Sequence, residues 1–224
     1  MNLFLIIKII FSFLLKKKMT SRLNAGESYN TLVTTQKFTD AYLEIIREKN
    51  KSFYQDTSAF SSNFQYVIRH YTGEGGQYSY KELNRLLNSL QKIGDLKMRS
   101  FVWTLHSALS YRKSNVVPGT VVYRGCRNVS LGNIKVGSVF YLPSFVSTSQ
   151  DPKIASSSTF LQGSGILFII TLTQGGTVPY CRDVTSDSQY DEKEILITAF
   201  CRYKLTGIEQ KGKITHVKMD CLGY

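Results

Sequence analysis

Pro118-Gly119-Thr120-Val121-Val122-Tyr123-Arg124-Gly125 divides this chain into two grammars. A Pro-Gly pair ends helices and turns the backbone. Directly after it, Val121 to Tyr123 is the first of a series of β-branched and aromatic runs. The others are Val139 to Leu142, Ile166 to Leu172, Glu192 to Phe200, Tyr203 to Glu209 and Lys213 to Met219, split by glycines and polar turns. One short helix interrupts them. Asp151 as cap and Pro152 in the first turn start it, and it is expected to end near Leu161, before Gly163.

Upstream of Pro118 the pattern is helical. Thr39 to Lys49 puts Ala41, Tyr42, Ile45 and Ile46 on one face. Ser79-x-x-Glu82 reads as a capping box, followed by a stripe of Leu83, Leu86, Leu87, Leu90 and Ile93 that Gly94 closes. A further helix from Leu96 to Tyr111 turns Phe101, Val102, Leu105 and Leu109 inward. Helices first and mostly antiparallel strands afterwards predict an α+β domain.

The chain has 224 residues, 42% of them hydrophobic, enough for one domain with a full core. Its net charge of +12 invites a nucleic-acid reading. However, Lys8, Lys16, Lys17, Lys18 and Arg22 lie in an N-terminal stretch without a single acid, and the rest of the excess is dispersed. A nucleic-acid surface needs a patch or stripe, so that partner is not expected. Cys126, Cys181, Cys201 and Cys221 form no C-x-x-C pair, and His70, His106 and His216 are the only histidines, which argues against a zinc site. Two disulfides or four reduced thiols fit the cysteines equally.

Residues 1–19 read as a leader separate from a single domain over 20–224. Asn2 to Leu15 is apolar apart from Lys8, and Lys16-Lys17-Lys18 closes it. That is shorter than the roughly 20 residues a membrane span needs, and a secretory signal carries its charge before the apolar stretch. A short membrane anchor through residues 1–18, an atypical signal, and translation from Met19 all stay open. Secretion or membrane attachment follows from the first two, a cytoplasmic protein from the third.

Three places carry chemistry. In Tyr190-Asp191-Glu192-Lys193-Glu194-Ile195-Leu196 the strand period puts Glu192 and Glu194 on one face. Two carboxylates beside a core-facing stretch repel each other and resist burial, so they need a reason, although a solvated strand end would supply a bland one. Ser147-Thr148-Ser149 offers hydroxyls that can orient a carboxylate or a ribose, or merely satisfy a turn. Arg124 stands at the end of an apolar strand, before a Gly125 that would let backbone approach a ligand. Its planar fork matches the oxygens of a diphosphate.

Taken together and in this order, the three resemble the Arg–Ser–Glu signature of the arginine-directed mono-ADP-ribosyltransferases, which include clostridial binary-toxin enzymes and vertebrate ectoenzymes. Val67-Ile68-Arg69-His70-Tyr71-Thr72-Gly73, Asn84-x-x-Leu87 and Val136-Gly137-Ser138-Val139-Phe140 extend the likeness over roughly residues 30 to 210. Where the family often continues with an apolar-Pro-Pro segment, this chain has Ile197-Thr198-Ala199. The resemblance implies a helical half packed on a β-sandwich core of the ADP-ribosyltransferase type. It implies NAD as substrate, no metal, and a protein bearing an acceptor arginine as partner. It assigns Glu194 to the NAD ribose, Glu192 to the incoming guanidinium, and Ser147 to Glu194 and the nicotinamide side. Arg124, with Gly125 adjacent, goes to the phosphates, and Phe160 is a candidate to flank nicotinamide. NAD glycohydrolase, a silent NAD-binding module, and a membrane-surface protein working through residues 1–24 are the alternatives.

Overall fold

A computed structural model of the chain describes residues 64–73, 76, 78–89, 93, 95–110, 115–127, 129, 131, 134–157, 160–161, 163–173, 180–188, 190 and 193–223. The leader, the helix expected over Thr39–Lys49 and the first acid, Glu192, lie outside the described residues.

Among the described residues three helices come first: α1 (Phe64–Thr72), α2 (Tyr80–Asn88) and α3 (Leu96–Ser110). Each buries one stripe. Val67, Ile68 and Tyr71 face inward from α1, Leu83 and Leu87 from α2, and the expected Phe101, Val102, Leu105 and Leu109 from α3. Every such side chain contributes about 1.5–3 kcal/mol on leaving water. The helix start at Ser79 is where the sequence pattern puts it, but the capping box does not form. The Ser79 side chain makes no cap hydrogen bond. Glu82 instead takes two hydrogen bonds from Arg85, at 2.8 and 2.5 Å, one turn along the helix. That pairing, first through the hydrogen bond, lowers the Glu82 carboxyl. A side-chain cap does form on α3, where Asp95 accepts from the amides of Lys97 and Met98.

Among the described residues eight strands follow: β1 (Val121–Cys126), β2 (Val139–Tyr141), β3 (Val146–Ser149), β4 (Gly165–Leu172), β5 (Cys181–Asp183), β6 (Glu194–Ile197), β7 (Arg202–Lys211) and β8 (Ile214–Gly223). They form one sheet in the order β2-β7-β8-β4-β1-β3-β6-β5. Neighbours are antiparallel except β4 and β8, which run parallel. The short helix α4 (Pro152–Ala155) opens on Asp151, whose carboxylate accepts from the Lys153 amide. It ends well before Leu161. Ser156 already bonds back to the Pro152 carbonyl, and serine side chains compete with the helix for such groups.

The sheet bends over on itself into a sandwich. The hydroxyl of Tyr180, one residue before β5, reaches the Cys221 carbonyl on β8 at 3.1 Å, although four strands separate β5 from β8 in the order. Between the layers lie Val122, Phe140, Val146, Ile170, Ile195, Ile197, Tyr203 and Val217. Cys126, Cys181, Cys201 and Cys221 are buried there as thiols. Burial, with Cys221 close by, pushes the Cys201 thiol up. The helices pack on the outside of this sandwich, where Phe145, Leu196 and Phe200 meet them. The expected alternation along β6 therefore holds from Glu194 onward: Ile195 and Ile197 point between the layers, Leu196 toward the helices. No helix among the described residues is long and apolar enough to cross a membrane.

Candidate active site

The seam between β1 and β3 positions the chemistry. These strands share one register pair, Tyr123 with Ser149, whereas β1 pairs with β4 along its whole length. Past that point β1 carries Arg124 and Gly125 away from β3, and the Arg124 side chain bridges the gap. Its Nη1 donates to the Ser147 carbonyl at 2.8 Å. Burial works against the guanidinium charge, yet the net shift is upward, with the neighbouring Cys126 the leading favourable contribution.

On β3 the three hydroxyls have separate duties. Ser147 Oγ donates to Glu194 Oε1 at 2.5 Å. Thr148 donates to the Ile195 carbonyl at 2.6 Å, fastening β3 to β6. Ser149 accepts from the Asp151 amide at 3.0 Å and shapes the entry to α4. Glu194 is 4% exposed, which an ionised carboxylate tolerates only with strong partners. Its other oxygen, Oε2, accepts from Ser188 Oγ at 3.0 Å. Hydrogen bonds to an ionised acceptor are about twice as strong as neutral ones.

The helical half fixes this arrangement from behind. Asn84 clasps the main chain two residues before Ser147, its Oδ1 accepting from the Phe145 amide at 3.2 Å and its Nδ2 lying 3.1 Å from the Phe145 carbonyl. The same Nδ2 is 3.0 Å from the Tyr71 hydroxyl. Burial pushes the Tyr71 phenol well up, so it stays neutral. A cavity of about 450 Å³ opens over these groups, walled by Tyr71, Tyr80, Asn84, Arg124, Ser147, Phe160, Tyr190 and Glu194 among others. Small-molecule sites run to about 300–1,000 Å³. Among the described residues no His/Cys/Asp/Glu cluster could hold a metal ion.

The structure thus brings Arg124, Gly125, Ser147, Phe160 and Glu194 to one cavity. Gly125 is also required by the protein's own packing. A Cβ there would meet the Ala155 carbonyl at 2.0 Å and the Phe160 Cβ at 2.9 Å, so it is the protein's own chain that comes close. The sequence reading did not find Ser188, since nothing distinguishes it within Thr185-Ser186-Asp187-Ser188. The turn that brings it to Glu194 rests on main-chain bonds: the Ser188 amide to the Val184 carbonyl, and the Val184 amide to the Glu194 carbonyl. Tyr80 and Tyr190 on the cavity wall were also missed.

A family model for NAD:arginine ADP-ribosyltransferase matches residues 16–223. The chain belongs to that family. It is an NAD-dependent mono-ADP-ribosyltransferase, with NAD as the ADP-ribose donor. The ADP-ribosyltransferase toxin Plx2a from Paenibacillus larvae has the same fold, with a TM-score of 0.58 at 17% identity over 80% of this chain and 96% of that one. Exoenzyme S from Pseudomonas aeruginosa, in complex with human 14-3-3 protein beta and carba-NAD, gives 0.56 at 20% identity, covering 83% and 82%. The Vis toxin of Vibrio splendidus in complex with agmatine gives 0.53 at 20% identity, covering 84% and 86%. No curated protein sequence matches this transferase.

Proposed function

We propose that this ADP-ribosyltransferase modifies arginine side chains of a protein, with Glu194, Ser147, Arg124 and Glu192 in distinct roles. The observation that carries this reading is the buried Glu194 carboxylate, held by the Ser147 hydroxyl, two positions after Glu192 in the sequence. The ribosyl C1′–N bond breaks, and nicotinamide departs with the bonding electron pair. Cleavage of this kind passes through an oxocarbenium-like state, and the fixed Glu194 charge stabilises it. Arg124 grips the diphosphate, and Phe160 flanks the nicotinamide. A guanidinium nitrogen then bonds C1′ and gives up its proton to Glu192. Without that carboxylate a guanidinium, with a pKa above about 12, is a poor nucleophile. Water needs far less help, so the same site hydrolyses NAD when no acceptor is present. The family's designation and the agmatine held by the Vis toxin support a guanidino acceptor.

The test is Glu192→Gln, read two ways on one preparation: labelled ADP-ribose on agmatine, and nicotinamide released without acceptor. Transfer is expected to collapse while much of the hydrolysis persists. Parallel loss of both would place Glu192 in NAD cleavage itself. Undiminished transfer would remove it from the acceptor side altogether.

A further inference from the structure

The last torsion of a glutamate is soft, so a carboxylate held by one donor can still rock about its own axis. Glu194 has a donor on each oxygen. Ser147 Oγ on β3 meets Oε1 at 2.5 Å, and Ser188 Oγ meets Oε2 at 3.0 Å. The direction of the Ser188 proton is settled by a third group. The Tyr190 amide lies 3.3 Å from Ser188 Oγ and can only donate, so it takes a lone pair of that oxygen. The hydroxyl proton is left for Glu194, and an ionised carboxylate can only accept.

The turn that carries Ser188 is fastened at every step. Val184 is buried among the residues that meet the helices. Its carbonyl accepts from the amides of Asp187 and Ser188 at 2.8 and 2.7 Å, and its own amide donates to the Glu194 carbonyl at 2.9 Å. One residue earlier, the Asn115 side chain clasps Asp183, accepting from its amide at 3.0 Å and donating to its carbonyl at 3.3 Å. Asp183 Oδ1 in turn accepts from the Thr185 amide at 3.0 Å. The backbone of Glu194 and the hydroxyl that meets its carboxylate are therefore tied to the same turn. Ser188 is not on the cavity wall, so it reaches the chemistry through Glu194 alone.

We propose that Ser188 is a second positioning residue for NAD cleavage, clamping the Glu194 carboxylate together with Ser147 so that its plane and charge are set before the dinucleotide binds. The Arg–Ser–Glu pattern supplies one serine for this carboxylate; the turn after β5 supplies another. Two donors on separate elements hold the charge where it must meet the developing positive ribose, which is what makes a fixed charge effective in a transition state. Because every reaction of this enzyme begins with that cleavage, transfer and hydrolysis depend on Ser188 equally. The inference rests on the role given to Glu194 above.

The experiment compares Ser188→Ala, Ser188→Thr and Glu194→Gln with the wild-type full chain. Nicotinamide release without acceptor and modification of agmatine are each followed against NAD concentration and pH, with thermal melting alongside. Ser188→Ala is expected to lower both turnover numbers by about tenfold and by the same factor, with the Michaelis constant for NAD changing much less. Losing a donor to the charged form makes a carboxyl easier to protonate, so the acidic limb of the turnover profile moves to higher pH. Ser188→Thr keeps the hydroxyl and restores both readings. If the Ala variant does not fold, Ser188→Cys, a weak donor, is read the same way. Wild-type turnover with an unmoved acidic limb overturns the inference. So does a loss confined to agmatine, or a Thr variant as slow as Ala that melts like wild type. If Glu194→Gln keeps its turnover, the reading of Glu194 fails and takes this inference with it. If Glu194→Gln stalls and Ser188→Ala does not slow, the inference alone falls.

Discussion

Ser147 and Glu194 sit on paired strands but not opposite one another. In the register Ser147 faces Leu196 and Glu194 faces Ser149, so the 2.5 Å hydrogen bond between them runs diagonally across the ladder. A diagonal contact depends on both strands keeping their twist, which the Thr148 hydroxyl secures by bonding the Ile195 carbonyl between them. The carboxylate is thus aimed by the sheet as well as by its own rotamer.

Removing the hydroxyl in Ser147→Ala deletes one charge-assisted hydrogen bond, about 1.5–3 kcal/mol. If its whole worth is expressed in the transition state, nicotinamide release slows roughly ten- to a hundredfold. Glu194→Gln keeps the shape and removes the charge, and we expect a loss of about a thousandfold. Both are measured as single-turnover rates with melting temperature as control. A Gln variant within tenfold of wild type would remove Glu194 from the chemistry.

Arg124 commits Nη1 to the Ser147 carbonyl. Its fork has further donors, and a lysine in its place has one ammonium to serve both the carbonyl and a phosphate. Arg124→Lys is therefore expected to raise the Michaelis constant for NAD by about tenfold while the turnover number changes less. An unchanged constant with a fallen turnover number would show that Arg124 does not clamp the phosphates.

Asn84 satisfies both main-chain groups of a buried Phe145. Asn84→Ala leaves them without that partner, at a cost of about 1–3 kcal/mol each. We expect at least about 2 kcal/mol less stability by denaturant unfolding. Activity should fall too, because the chain leading to Ser147 loosens. Wild-type stability would mean that the clasp contributes nothing.

How much of this could be read beforehand varied by residue. Strand β1 was plain in Val121 to Tyr123, and α3 in the spacing of Phe101, Val102, Leu105 and Leu109, because apolar periodicity is local. The shared face of Glu194 and Leu196 followed from the same period, but the burial of the carboxylate did not. Strand β3 was not among the strand runs, since Ser147-Thr148-Ser149 carries the composition of a turn and becomes a strand by pairing with β6. Strand β5 has three residues and no pattern to detect. The β6 run was drawn too long at both ends, as Lys193 and Phe200 both have positive φ that neither residue type announces. Ser79 and Glu82 have the right spacing for a box, yet Arg85 competes for the carboxylate from a turn away. The reason for Gly125 lay in Ala155 and Phe160, thirty residues or more along the chain.

That packing is open to direct test. Gly125→Ala sets a methyl against the Ala155 carbonyl, a backbone atom with little room to give. A loss of about 1–3 kcal/mol is expected, with a melting temperature lower by roughly 2–10 °C in a domain of this size. Because the same methyl crowds Phe160, the Michaelis constant for NAD should rise as well. A variant as stable as wild type would mean that α4 shifts freely.

Deleting residues 1–19 should leave nicotinamide release within about tenfold of the full chain, since the cavity is walled from Tyr71 onward. An inactive or unfolded truncation would make the leader part of the catalytic domain and overturn the division at residue 20.

The seam between β1 and β3 has a consequence for how such an enzyme can change. Arg124 belongs to one arm of the bent sheet and Ser147 with Glu194 to the other, and one register pair plus one side-chain bridge join the arms beside the cavity. Substitutions that widen or tilt one arm need not be matched in the other, because few ladder hydrogen bonds there have to be preserved. With the roles proposed for Arg124 and Glu194, the dinucleotide spans the joint and acts as the gauge of its spacing. Sequences can wander far apart on either arm so long as that one gap still fits the same molecule.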